Sequence, residues 1–207
     1  MEDVSINKSI HLSEHLASPS EAALSHSSEL DGLRLTPHFT LGEVTKSRHT
    51  EIYNIPSHVA IENLKRVCAW LEELRRRYNE NYVLDQTTPN PSYSGGEASG
   101  RILPLSRGSQ RGSEEPIVIN SGYRSPELNK KVGGSATSNH LTGCAVDIRV
   151  YGIEQAMRYA VILMDYADET KQDYDELLIE RNKSGGYWLH FAVRPSENRR
   201  KVRLVQT

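Results

Sequence analysis

Residues 138–148, SNHLTGCAVDI, decide how the chain is interpreted. They contain His140 and Asp147 in a segment with no other charged side chain. Residues 144–150 predict a strand, in which Asp147 lies between two apolar neighbours. A carboxylate in such a position needs a partner, and a metal ion is one such partner. The segment therefore predicts a metal site whose remaining ligand comes from elsewhere in the chain.

Length and composition narrow the classes of protein. The 207 residues suggest one domain, with 37% hydrophobic and 25% charged residues supporting a modest core. A net charge of −2 gives no general attraction for nucleic acid or an anionic membrane. No run approaches the roughly 18 apolar residues of a membrane span, so we expect no stable membrane insertion. Residues 1–26 lack a basic start followed by an apolar block, so we expect no secretory signal and synthesis in the cytoplasm.

Shifts in composition predict the domain boundaries. Residues 1–35, rich in Ser, Glu and His, are expected to be a disordered or weakly structured tail. Residues 36–197 form the expected domain, interrupted by a flexible insertion rich in Gly, Ser and Pro at 85–115. Residues 198–207 are expected to be a basic C-terminal tail.

The first half of the domain predicts two helices. Thr40 and Glu43 have the spacing of a capping box, and Ser57 precedes a longer helix. Seven residues of that helix recur at helical spacing: Ile61, Leu64, Val67, Cys68, Leu71, Leu74 and Tyr78. Since Cys68 shares this apolar face, we expect it and Cys144 to be reduced and packed as small hydrophobic residues.

The second half mixes strands with helices. Strands are predicted over 116–119, 144–150, 176–180 and 187–193, with a helix starting at Pro126 after the cap Ser125. A second helix over 152–167 carries an apolar face made of Ile153, Met157, Ala160, Val161 and Met164. This order predicts an α+β domain with a small, mainly antiparallel sheet packed on helices.

The last predicted strand supplies the missing ligand. Its sequence, YWLHFAV, places His190 on one face with Trp188. His140, Asp147 and His190 together form a nitrogen and oxygen set of the kind that holds catalytic zinc with a water in the fourth position. Hydrolysis also needs a proton acceptor, and a hairpin turn would fold Glu180 back toward His190.

The sequence resembles a known family of enzymes. GYRSPELNKKVGGSATSNHLTGCAVDI at 122–148, followed by WLHFAV at 188–193, resembles the zinc D-alanyl-D-alanine carboxypeptidase family of metallopeptidases. That family includes phage endolysins that cut peptidoglycan stem peptides, and the hedgehog signalling domain shares its zinc-site fold. The resemblance spans roughly residues 37–195. It implies a hedgehog/DD-peptidase-like fold, a bound Zn²⁺ ion and a peptidoglycan peptide substrate.

The resemblance also implies roles for individual residues. His140, Asp147 and His190 correspond to the zinc ligands of the family. Arg124 would bind a substrate carbonyl or carboxylate, for which its planar fork of donors is suited. Ser138 matches a small polar residue before the ligand histidine, and Trp188 belongs to the family's Trp-x-His element. Both are expected on the substrate side.

The position of the catalytic base departs from the family pattern. Many relatives carry a Glu or Asp a few residues before the final histidine, where this chain has Gly185 and Gly186. Glu180 is therefore the first candidate, and Asp175 and Glu176 are the alternatives.

Two classes of function follow. The first is a zinc peptidase of peptidoglycan stem peptides, either a D,D-carboxypeptidase or an endopeptidase. The alternative is a non-catalytic zinc module that binds cell-wall peptide or a protein partner. We expect a monomer that binds no nucleic acid. The only feature that would favour nucleic-acid binding is the basic run Arg199, Arg200, Lys201 and Arg203. The substrate implies action at the cell wall or periplasm, and a phage or prophage lysin would reconcile that location with the missing secretory signal.

Overall fold

The computed structural model describes residues 31–84 and 114–207, which form four α-helices, a π-helical segment at Asn79–Leu84, a 3₁₀ turn at Asn139–Thr142 and a five-stranded sheet. The helices are α1 (Leu41–Thr45), α2 (His58–Tyr78), α3 (Pro126–Lys131) and α4 (Ile153–Thr170). The strands are β1 (Ile119–Ser121), β2 (Ala145–Arg149), β3 (Glu176–Arg181), β4 (Tyr187–Ala192) and β5 (Lys201–Gln206). The α+β class predicted from the sequence is confirmed.

The sheet has the strand order β1-β2-β4-β3-β5. Its first three neighbouring pairs are antiparallel, and β5 runs parallel to β3. The prediction of a mainly antiparallel sheet is therefore confirmed. In the three central strands, Asp147 lies opposite His190, and His190 lies opposite Leu178.

One face of the sheet forms the hydrophobic core with α2 and α4. The aromatic ring of Trp70 in α2 lies 5.5 Å from that of Phe191 in β4 and 4.8 Å from that of Tyr166 in α4. Because neighbouring strand residues point to opposite faces, Asp147 and His190 lie on the face away from these helices.

The helix N-caps predicted from the sequence are present in the structure. Thr40 caps α1 in a reciprocal capping box with Glu43, and Ser57 caps α2. Ser125 caps α3, which has Pro126 at its first position. Cys68 and Cys144 are both free and buried, as expected.

The predicted apolar face of α4 coincides only in part with the buried one: Ala160 is buried and Met164 packs against the core. Ile153, Met157 and Val161 are exposed, whereas Gln155 and Tyr159 are almost fully buried. Burial of these polar residues is tolerated because they satisfy each other, with Gln155 Nε2 donating to Tyr159 Oη at 3.0 Å. The buried face, which also contains Ile162 and Leu163, is thus rotated relative to the predicted stripe.

The ordered domain is longer than predicted at two boundaries. Leu35, which we assigned to the N-terminal tail, is buried, and its amide donates to Phe39 O at 2.9 Å. Glu115, which we assigned to the insertion, is also buried, and its amide donates to Asn79 Oδ1 at 2.6 Å. The remaining predictions for 1–30 and 85–113 lie outside the described residues.

The C-terminal tail predicted at 198–207 is wrong, because most of it forms β5. Lys201–Gln206 pair with Glu176–Arg181 in parallel register. Three of the four basic residues that suggested a solvated terminus, Arg199, Arg200 and Lys201, have acidic partners: Arg200 Nη2, for example, lies 2.5 Å from Asp168 Oδ1. Backbone pairing and these ion pairs order a strand whose apolar residues Val202 and Leu204 are exposed.

Candidate metal centre

The turn before β2 holds the first histidine. Residues Asn139–Thr142 form a single 3₁₀ turn, and the Ser138 hydroxyl accepts a hydrogen bond from the amide of His140. The turn ends at Gly143, which adopts a left-handed conformation with φ of 72°. A Cβ at Gly143 would also lie 2.5 Å from Ala60 O of α2, so glycine is needed there for both space and conformation. The turn leaves His140 buried, with 2% exposure.

A backbone carbonyl fixes the orientation of the His140 ring. Its Nδ1 lies 2.6 Å from Gly122 O, so Nδ1 carries the proton and donates it. The lone pair of Nε2 is then free and points toward the other two predicted ligands. Gly122 reaches this position because it packs directly against α1, where an added Cβ would lie 2.2 Å from Val44 O.

The sheet brings the other two ligands together. Asp147 and His190 are directly opposed residues of β2 and β4, and His190 Nδ1 lies 2.9 Å from Asp147 Oδ1. His140 Nε2 lies 3.3 Å from Asp147 Oδ1 and 3.3 Å from His190 Nδ1. Asp147 and His190 are 9% and 7% exposed, so all three side chains are buried.

This arrangement fits a metal ion. One ligand atom from each of His140, Asp147 and His190 lies within 4.8 Å of the others, and they form the one such cluster found among the described residues. Two imidazole nitrogens and one carboxylate oxygen suit zinc or another divalent transition metal. The prediction that these three residues meet is confirmed, and their role as ligands stays a prediction.

Charge states in the cluster follow from burial and proximity. Burial lowers the pKa of His140, which favours the neutral ring that a metal needs. Burial would raise the pKa of Asp147, but contacts with His140 and His190 outweigh it and lower that pKa. Burial likewise opposes the charge on His190, yet the hydrogen bond to Asp147 and the nearby carboxylate of Glu176 raise its pKa to about 9. A metal that binds at His190 therefore displaces a proton.

Arg124 lies against the proposed ligand Asp147. Its Nη2 donates to Asp147 Oδ2 at 2.5 Å, and its Nε donates to Ser121 Oγ at 2.9 Å. Arg124 has no acidic partner close in sequence, and its partner comes instead from the neighbouring strand β2, 23 positions away. Asn54 fixes the backbone here, since its side chain accepts from Ser125 N and donates to Tyr123 O.

Two further residues expected on the substrate side have different surroundings. Ser138 is half-buried and caps the turn that carries His140. Trp188 is half-buried on β4, where it lies between Arg149 of β2 and Glu180 of β3. Whether either residue contacts a substrate stays a prediction.

The three candidate bases differ in their burial and in the hydrogen bonds that their side chains form. Glu180 lies two residues from Leu178, the partner of His190, and therefore on the face of the ligands. Its side chain forms no hydrogen bond within the described part of the chain, and burial raises its pKa. Asp175 is fully buried and accepts from Arg199 Nε and Nη2, both at 2.7 Å, and from Asn139. Both of its oxygens therefore already accept hydrogen bonds within the fold, which favours a structural role over that of a base.

Glu176, the other alternative, lies next to the Nε2 atom of His190. Its Oε2 lies 3.6 Å from His190 Nε2, on the side of the ring away from the ligand cluster. Sequence reasoning missed this contact, although strand alternation already put Glu176, Leu178 and Glu180 on one face. It also missed Gly122 and Asn54, for which no local pattern gave an indication.

Comparison with known families agrees with the geometry. The model of the family described as Peptidase M15 matches residues 109–172, which contain Arg124, His140 and Asp147. Residues 109–172 are thus similar to the Peptidase M15 family. The resemblance inferred from the sequence is thereby confirmed. The Peptidase M15 match supports a metallopeptidase, and His190 and Glu180 lie beyond its end. No curated protein matches the chain.

Proposed function

We propose that the chain is a zinc-dependent peptidase that hydrolyses peptidoglycan stem peptides. The observation that carries the proposal is the convergence of His140, Asp147 and His190 on one buried face of the sheet. When bound there, Zn²⁺ would supply a Lewis acid that polarises a carbonyl and activates water. The residues around the cluster then have to bind the peptide and move protons.

Glu180 is the proposed proton carrier. Peptide hydrolysis requires a group that takes a proton from the attacking water and returns it to the leaving amine. Glu180 shares the face of the ligands, is half-buried and makes no side-chain hydrogen bond among the described residues. Burial raises its pKa, which brings the carboxyl group closer to the pH at which it can both accept and donate.

Arg124 is the proposed anchor for the substrate. Two of its donors are occupied by Asp147 and Ser121, while Nη1 forms no hydrogen bond within the part of the chain that the structure describes. A guanidinium in this position can bind a peptide carbonyl or a terminal carboxylate beside the ligand cluster. We place Trp188 at the same side of the site, next to Glu180 on the sheet.

The site of action is part of the proposal. Peptidoglycan peptides imply work at the cell wall or periplasm, by a monomer of the endolysin type. None of the helices within residues 31–84 and 114–207 is both long and apolar enough to cross a membrane.

The test is incubation of the purified, zinc-loaded protein with peptidoglycan, followed by mass analysis of the fragments. A carboxypeptidase releases a single terminal D-alanine, whereas an endopeptidase cuts within the stem or its cross-link. His140→Ala should abolish either product. His49→Ala is the control, because His49 is a partly exposed histidine in the loop after α1.

Two outcomes would overturn the proposal. Equal cleavage by the parent and by His140→Ala would remove the cluster from the reaction. Binding of the peptides by the parent without any cleavage would instead support a non-catalytic zinc module.

A further inference from the structure

Glu176 is placed to hold one ligand histidine in orientation. The His190 ring points its Nδ1 at Asp147 Oδ1, 2.9 Å away, and at His140 Nε2, 3.3 Å away. Its Nε2 points to the opposite side, where Glu176 Oε2 lies at 3.6 Å. The two ring nitrogens therefore face different partners, the ligand cluster on one side and a carboxylate on the other.

A metal-binding histidine needs a partner for its second nitrogen. The ring binds through the lone pair of one nitrogen, and an acceptor at the other nitrogen fixes the tautomer and the ring rotation. For His140 that acceptor is Gly122 O, at 2.6 Å. For His190, Nε2 has no closer hydrogen-bond partner within the described residues, and Glu176 is the carboxylate at ion-pair distance.

Glu176 is itself held firmly from the far side. Its Oε1 lies 2.8 Å from Lys201 Nζ and 3.1 Å from Arg199 Nη2, so one oxygen is fixed to the start of β5. Its Oε2 accepts from Asn139 Nδ2 at 3.1 Å, next to His140 in sequence. The carboxylate therefore connects the C-terminal strand to both histidine-bearing elements.

We propose that Glu176 is a positioning residue that keeps the Nδ1 atom of His190 turned toward the metal, and that β5 holds Glu176 in place for this task. The proposal rests on the proposed function, because it assigns a role to the contact between Glu176 and the proposed metal ligand His190. It extends the site to a strand outside residues 109–172, the part of the chain that matches the family. A carboxylate at Nε2–H also makes Nδ1 a stronger donor to a metal.

The experiment measures metal affinity, independently of hydrolysis. Zn²⁺ affinity is determined by chelator competition, and Co²⁺ absorption reports the ligand field, for the parent, Glu176→Ala and Glu176→Gln. Loss of such a partner typically weakens metal affinity by about 10- to 100-fold, and we expect Glu176→Gln to lie near the lower figure. Long-range ¹⁵N–¹H correlation of the Zn²⁺ form should show the His190 proton on Nε2 in the parent.

Glu73→Ala is the matched control. Glu73 is also a half-buried carboxylate with two cationic partners, with 20% exposure against 14% for Glu176, but it lies on α2 with Arg76 and Arg77. Its loss should affect stability without changing Zn²⁺ affinity. If Glu176→Ala does not fold, the isosteric Glu176→Gln provides the measurement.

The possible failures are distinguishable. A parent that binds neither Zn²⁺ nor Co²⁺ contradicts the proposed function itself. A parent that binds Zn²⁺ with the same affinity and the same His190 tautomer as the folded Glu176 variants overturns the positioning role and leaves the proposed function standing.

Discussion

Arg124 shows how one side chain can serve both the scaffold and the site. Its guanidinium ties Ser121 at the end of β1 to Asp147 in β2, and its side chain is only 17% exposed. The family resemblance pointed to substrate binding, but the contact with Asp147 adds a structural task. The sequence could not reveal this task, because the two residues are 23 positions apart and meet only once the strands pair.

The first prediction separates the two tasks of Arg124. Arg124→Ala should lower the free energy of unfolding of the metal-free protein by about 1.5–3 kcal/mol, because Asp147 Oδ2 loses a charge-assisted hydrogen bond. Chemical denaturation measures the change. Arg149→Ala is the control, since Arg149 also lies on β2 but is exposed, and among the described residues its side chain hydrogen-bonds only to that of Asn120. Unchanged stability combined with lost hydrolysis would assign Arg124 to the substrate alone.

The second prediction concerns Glu180. Glu180→Gln should bind Zn²⁺ as tightly as the parent and lose at least a hundredfold in hydrolysis, about 2.7 kcal/mol of barrier, because an amide cannot accept the proton. Metal titration and the rate of peptide cleavage are measured on the same preparation. Cleavage at the parent rate would remove Glu180 from the reaction, and weakened Zn²⁺ binding would show it to be a ligand.

At the scale of elements, periodic patterns predicted structure well where burial follows apolarity. All seven residues of the predicted α2 face are buried or partly buried, and the β3–β4 hairpin forms as expected. The apolar pattern predicted the buried face of α4 only in part, because Gln155 and the Tyr159 ring are buried there and Met157 is exposed. It failed on β5 because backbone pairing and ion pairs, rather than an apolar face, order that strand.

The third prediction tests the close packing of β1 against α1. Gly122→Ala should destabilise the fold and weaken Zn²⁺ binding, because a Cβ 2.2 Å from Val44 O must displace the carbonyl that holds His140. Thermal unfolding with and without Zn²⁺ measures both effects. Gly152→Ala is the control, since a Cβ there meets nothing within 4 Å. If Gly122→Ala behaves like Gly152→Ala, the carbonyl does not depend on this packing.

At the scale of the whole molecule, an ionic cluster around the buried carboxylate of Asp175 joins segments that are distant in sequence. Asp175 at the start of β3 accepts from Asn139 before β2 and from Arg199 before β5, and Arg194 lies 3.1 Å from it. Burial would raise the pKa of Asp175, but these hydrogen bonds and charges outweigh it and lower that pKa. The sequence could not predict this cluster, because each of its charged residues, taken singly, looks like an ordinary charged residue of the protein surface.

The fourth prediction is a pH dependence that follows from this cluster. Because folding lowers the pKa of Asp175, its contribution to stability is present above the unfolded value of about 3.9 and is lost as pH falls through the folded value. Asp175→Asn should therefore cost about 1.5–3 kcal/mol at pH 7 and progressively less in acid. Denaturation of both proteins between neutral and acidic pH measures the difference. A cost that does not change with pH would show that shape, rather than charge, is what Asp175 contributes.

The direct opposition of Asp147 and His190 across β2 and β4 has a consequence for folding. A slip of one residue in either strand would turn one of the two side chains toward the helices and separate the pair. A metal ion held by both side chains, as proposed, would bind only the correctly paired sheet, and its binding energy would stabilise that sheet relative to every misaligned alternative. If the cluster holds a metal as proposed, an occupied site would show that β2 and β4 have paired in the correct register.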